Sequence, residues 1–153
     1  MTLKHLTLGL VSGISFSIIS WMVGIIFNGM FSKTKFYKRF SDLNFVEGDV
    51  FNRIIGLNQF CWIIKNTFFK FFNQKIRISN RNTNLDDLKK VMTLAEISHL
   101  VGFIFVTIFS IYYSIKVSIL YGATMMVPNI FLNLYPSLLQ QKNKRRINRL
   151  IKN

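Results

Sequence analysis

The sequence has one cysteine and two prolines in 153 residues, and only six acidic side chains. Each scarcity removes a class of protein. Cys61, alone, allows no intramolecular disulfide and no cysteine-based metal site; followed by "WII", it reads as a small buried hydrophobe. Histidine is as rare: His5 and His99 lie far apart, and one His with one nearby Glu offers zinc too few ligands, so no metal is expected. No Gly-rich phosphate loop or Ser nucleophile elbow occurs. The shortage of acid against 20 Lys and Arg leaves a formal charge of +14. On a polar chain that surplus would point to nucleic acid. Here 50% of residues are hydrophobic, the mean hydropathy is +0.32, and the basic residues flank apolar runs. The expected partners are therefore anionic membrane lipids, not nucleic acid, and a water-soluble globule is set aside.

What is present reads as a single all-α domain, residues 1–153, integral to a membrane, with about three transmembrane helices and one interfacial amphipathic helix. The run "LTLGLVSGISFSIISWMVGIIFN", residues 6–28, carries no charge and is long enough to cross the hydrocarbon core. It lacks an evident cleavage site, so it reads as an uncleaved span rather than a signal peptide. Its small residues Gly13, Ser17, Ser20, Gly24 and Asn28 recur every three or four positions, which predicts a helix face for close packing. Residues 33–93 are basic and aromatic. Within 54–76, Lys65, Lys70 and Lys75 alternate with Phe and Trp, as in a helix lying at the head-group boundary. "LDDLKKVM" then starts a helix, with Asn84 as N-cap and Asp86 and Asp87 at its positive end. The apolar stretch that follows divides into spans at 94–115 and 119–140, joined by a turn around Lys116 to Gly122. A basic tail occupies 141–153. Of the Lys and Arg residues, twelve lie between 33 and 90 and six in the tail, leaving only Lys4 and Lys116 elsewhere. The positive-inside rule then predicts a multi-pass cell-membrane protein with the central segment and the C-terminus in the cytoplasm.

At about 100° per residue, Glu96, His99, Phe103, Thr107, Ser110 and Ser114 fall on one face of the second span. The hydroxyls can bond their own helix carbonyls. Ionisable groups at the edge of a span are costly and mark functional candidates. Asn129, Asn133, Gln140 and Asn143 form a second stripe, interrupted by Pro128 and Pro136, which free backbone carbonyls that such amides could satisfy. Folding the hairpin about residue 118 sets Glu96 opposite Gln140, His99 near Ser137 and Phe103 near Asn133. Asn143, Lys144, Arg145, Arg146 and Arg149 then gather beside them, a set suited to phosphate. A carboxylate three residues from an imidazole on one face can raise its basicity, which suits His99 to take a proton from a hydroxyl.

"AEISH" before an apolar span, followed by Asn133, Gln140, Asn143 and Arg146, resembles the glycosyl-diaponeurosporenoate acyltransferase family of staphyloxanthin synthesis. An N-terminal span, the aromatic basic middle with Phe51, Asn52, Arg53 and Trp62, and the basic tail are also similar. The sequence departs from the family pattern at Lys142, Lys144 and Arg145, where the family has Tyr, Arg and Pro, and at Pro136, one place later than its proline. The resemblance implies transfer of a fatty acyl group to a hydroxyl of a lipid-linked or glycosylated carotenoid or isoprenoid acceptor, with no cofactor beyond an acyl-CoA-like co-substrate. In that scheme His99, oriented by Glu96, is the general base, and Asn133 and Gln140 stabilise the oxyanion. The basic tail residues hold the donor's phosphates. A small membrane methyltransferase-like enzyme and a non-enzymatic scaffold or immunity protein are the alternatives. The last makes no demand on Glu96 or His99.

Overall fold

The structure, a computed structural model, describes residues 2–40, 43, 49–67 and 85–152. These are almost wholly helical, with no strand among the described residues. In chain order the helices are α1 (Thr2–Phe31), α2 (Lys35–Phe40), α3 (Asp49–Ile54), α4 (Leu57–Asn66), α5 (Leu85–Lys116), α6 (Ile119–Asn129) and α7 (Tyr135–Lys152). A π-helical segment, Ile130–Leu134, joins the last two. The predicted cap Asn84, together with Lys70 and Lys75, lies outside the described residues. Asp86 and Asp87 do sit in the first turn of α5, where the helix dipole favours acid.

Three rods form the bundle: α1, α5, and the continuous run of α6, π segment and α7. The α5–α6 hairpin closes over Val117 and Ser118. The Ser118 hydroxyl accepts the Tyr121 N–H at 3.2 Å and stands 3.1 Å from His5 Nδ1, so the start of α1 shares this end of the bundle. At the other end Asn28 Nδ2 donates to the Leu94 carbonyl at 2.8 Å and to Ser98 Oγ at 2.6 Å. α1 is thus antiparallel to α5 and runs alongside α6.

The small-residue face of α1 makes this packing possible. Gly9, Gly13, Ser17, Ser20 and Gly24 are all buried. A Cβ on Gly13 would come within 2.5 Å of the Met125 carbonyl oxygen, and one on Gly9 within 2.6 Å of the Tyr121 carbonyl oxygen. Backbone cannot yield as a flexible side chain can. Gly13→Ala is therefore expected to push α1 away and cost about 1–3 kcal/mol by overpacking. The check is the midpoint of thermal unfolding in detergent, which should fall; an unchanged midpoint would mean the helix spacing is set elsewhere.

Burial is distributed inside out. The residues removed from solvent include Ser17, Ser20, Glu96, Ser110, Asn129, Asn133, Ser137 and Gln141, while Ile18, Met22, Ile25, Ile104, Ile108, Ile111 and Ile115 are exposed. Water as the outer solvent would favour the reverse arrangement. α1 and α5 are long and apolar enough to cross a membrane, which suggests membrane association. The segment expected as a third span, 119–140, is divided among α6, the π segment and the first turns of α7.

Near the Glu96 end, α4 lies on α7. Leu57, Leu138 and Leu139 form an apolar core joined by Phe60, Cys61, Ile64 and Tyr135. Cys61 is half-buried there, a packing residue as its composition implied. Gly56 starts α4 at φ 70°, in the left-handed region that glycine occupies without strain. The Tyr135 hydroxyl donates to the Ile55 carbonyl, and Lys142 Nζ donates to Asn58 Oδ1 at 2.6 Å.

Candidate functional site

The π segment builds the site. Pro136 has no N–H, so the Leu132 carbonyl lacks the partner it would have four residues on in a regular helix, and a wide turn spares the proline ring a clash. His99 occupies that opening. The imidazole stands beside the Leu132 backbone and the Asn133 side chain. Trp21 of α1 meets it edge-on, ring centroids 6.3 Å apart and planes at 86°.

Asn133 is wholly buried and bridges all three rods. Its Nδ2 donates to Ser20 Oγ of α1 at 3.1 Å and to Asn129 Oδ1 at 2.9 Å. Asn129 Nδ2 in turn donates to the Phe103 carbonyl at 3.1 Å and to Thr107 Oγ1 at 3.3 Å. Gly102 admits this junction, since a Cβ there would come within 2.8 Å of Ser20 Oγ and 3.0 Å of Asn133 Oδ1. The two polar stripes therefore meet, but one helical turn away from the pairing that a fold about residue 118 predicts: Asn129 lies at Phe103, and Asn133 at His99. The offset arises at the hairpin, where Ser118 is extended rather than helical and carries the chain further per residue. Thr107 and Ser114 bond carbonyls of their own helix at 2.7 and 2.9 Å, whereas Ser110 Oγ crosses to the Gly122 carbonyl at 2.7 Å.

Glu96 lies below His99, fully buried, in an ion pair with Lys144. Lys144 is itself only 4% exposed, so its charge serves the bundle interior rather than the surface. Nearby, the Tyr37 hydroxyl donates to Asn28 Oδ1 at 2.8 Å. Burial pushes its pKa up to about 12, with the Glu96 carboxylate adding to the effect. Of the other expected phosphate ligands, Asn143 and Arg145 are half-buried, and Arg146 and Arg149 are exposed.

Several buried polar atoms lack a hydrogen-bond partner among the described residues, among them Nδ1 of His99, Asn133 Oδ1, Gln140 Oε1, Ser137 Oγ, Ser17 Oγ and Trp21 Nε1. Leaving buried donors and acceptors unmade costs about 1–3 kcal/mol each, so these atoms are places where water or a polar ligand would bind. Sequence reasoning grouped His99, Asn133 and Gln140, of which Asn133 stands beside His99. It missed the contribution of α1, although Trp21 lies one helical turn from both Ser17 and Gly24 on the small-residue face. Among the described residues no group of three or more His, Cys, Asp and Glu could hold a metal ion.

A family model described as glycosyl-4,4'-diaponeurosporenoate acyltransferase matches residues 33–153, which take in α2 to α7 and every site residue except those of α1. The chain belongs to this acyltransferase family. No curated protein and no solved structure matches it. Membership gives the polar junction a chemical context: an acyltransferase acting on a glycosylated carotenoid.

Proposed function

We propose that the protein moves a fatty acyl group from an acyl-CoA-like thioester to a hydroxyl of a glycosylated, membrane-embedded acceptor, with His99 as general base. The observation that carries this reading is the buried, unpartnered Nδ1 of His99 among other unpartnered polar atoms, in a member of an acyltransferase family. Carrying its proton on Nε2, the imidazole presents a lone pair on Nδ1, ready to receive a hydroxyl proton. Asn133 Oδ1 and Gln140 Oε1 are acceptors suited to orient the attacking hydroxyl. Glu96 acts on the site through its pair with Lys144. Arg146 and Arg149, exposed on α7, are the residues placed to hold donor phosphates, with Arg145 and Asn143 beside them.

The same reading takes the bundle as three membrane spans, with the N-terminus and the 117–118 turn outside and the basic tail in the cytoplasm. The isoleucine-rich outer faces of α1 and α5 support it, as does the position of α7's cations at the Glu96 end. α4, with Trp62, Ile63 and Lys65 exposed, would lie in the head-group boundary. Both reactants are amphiphiles, and a site at this depth admits their tails to the bilayer and their polar ends to water.

The test uses membranes containing the full chain, a labelled acyl thioester and glycosylated carotenoid or glycolipid acceptors. The expected product is a labelled, alkali-labile ester of the acceptor, absent from membranes without the protein. Equal labelling in both would overturn the reading, and methyl transfer from S-adenosylmethionine instead would favour the methyltransferase alternative.

A further inference from the structure

We infer that Trp21, on α1, supplies the hydrogen-bond donor that the reacting acyl carbonyl requires, and is thus a catalytic residue outside the part of the chain that defines the family. The inference rests on the acyl-transfer reading. The family match begins at residue 33, so nothing in that likeness addresses Trp21.

The argument is an account of donors. Attack on a thioester places negative charge on the carbonyl oxygen, and that oxygen needs a donor already in position. Asn133 is a poor candidate, and Gln140 is only half-buried. Asn133 Nδ2 is held by Ser20 Oγ and Asn129 Oδ1, and its Oδ1 can only accept. A donor open to solvent, as on Gln140, is worth less to an oxyanion. Among the described residues, Trp21 Nε1 is a buried N–H without an acceptor whose ring meets His99. An indole nitrogen donates and never accepts, so a carbonyl oxygen suits it and a hydroxyl lone pair does so less specifically. Ser17 and Ser137 offer hydroxyls that can rotate either way.

The step balances without any further reactant. The acceptor hydroxyl oxygen bonds to the thioester carbonyl carbon while its proton passes to His99 Nδ1, and the carbonyl oxygen, now negative, accepts the Trp21 N–H. Collapse re-forms the carbonyl and breaks the carbon–sulfur bond. The departing thiolate takes the proton back from His99.

The decisive variant replaces Trp21 by 3-benzothienylalanine, which keeps the fused ring and loses the N–H, with Trp21→Phe as a second variant. In membranes with acyl-CoA and glycolipid acceptor, kcat is expected to fall by about 10²-fold, as removal of an oxyanion donor does, with the KM for acceptor little changed. Wild-type kcat in the benzothienyl variant would overturn the role of Trp21 while leaving the acyl-transfer reading standing. No transfer by the unmodified protein would overturn both. A loss confined to KM would make Trp21 a binding surface and overturn the catalytic assignment.

Discussion

Substituting His99 by Gln is expected to lower acyl transfer by about 10²–10⁴-fold, the range a positioned general base contributes. The choice of Gln matters. Its amide N–H can still reach toward the Leu132 carbonyl and its volume approximates imidazole, so the π segment should hold its shape. What disappears is the nitrogen lone pair. The fall should appear in kcat, measured at saturating donor and acceptor, because the base acts in the transition state and binds neither ground state strongly. His99→Gln with unchanged kcat would remove the imidazole from the chemistry and return it to a packing role against Trp21.

The second large effect concerns stability. Glu96→Gln leaves the Lys144 ammonium buried without its carboxylate, and breaking a buried ion pair from one side costs about 3–5 kcal/mol. Lys144→Met should cost as much for the opposite reason. The double variant Glu96→Gln with Lys144→Met removes both charges together and is expected to recover most of the loss. Thermal unfolding midpoints of the four proteins in detergent make the double-mutant cycle. If the double variant is as unstable as the sum of the singles, the two charges do not act as a pair, and the carboxylate is answerable to another group.

This pair also shows how far the sequence could be read. Glu96 and His99 stood out because charge inside an apolar run is costly, and that signal needs no partner to be seen. Asn133 and Gln140 followed from periodicity. Lys144 did not, because it sits within "KNKRR" and was grouped with its neighbours as surface charge. Yet 11 residues at 100° bring it within about 20° of Asn133, so the angle that found the amide stripe would have separated it from Arg145 and Arg146. The role of α1 was hidden for a different reason. Glycine and serine at regular spacing announce close approach but not which side chains arrive with it, and Trp21 in an apolar run is indistinguishable from a ring facing lipid until the third rod is in place. The one-turn offset of the hairpin was beyond reach, since it depends on the extended backbone of a single residue, Ser118.

The π segment can also be seen as a gear change in the third rod. One residue more per turn between Ile130 and Leu134 rotates everything after it by about 100° relative to a plain helix. With that rotation Ser137, buried on α7, comes within about 20° of the direction of Asn129, from about 80° in a plain helix. Deleting one residue from 130–134 would therefore turn the face of α7 aside as a unit, carrying Ser137 out of the bundle and Lys144 away from Glu96 in a single step. Helix content by circular dichroism should be almost unchanged, and acyl transfer should be lost. On the acyl-transfer reading, the chemistry of this small protein is indexed by the pitch of one turn.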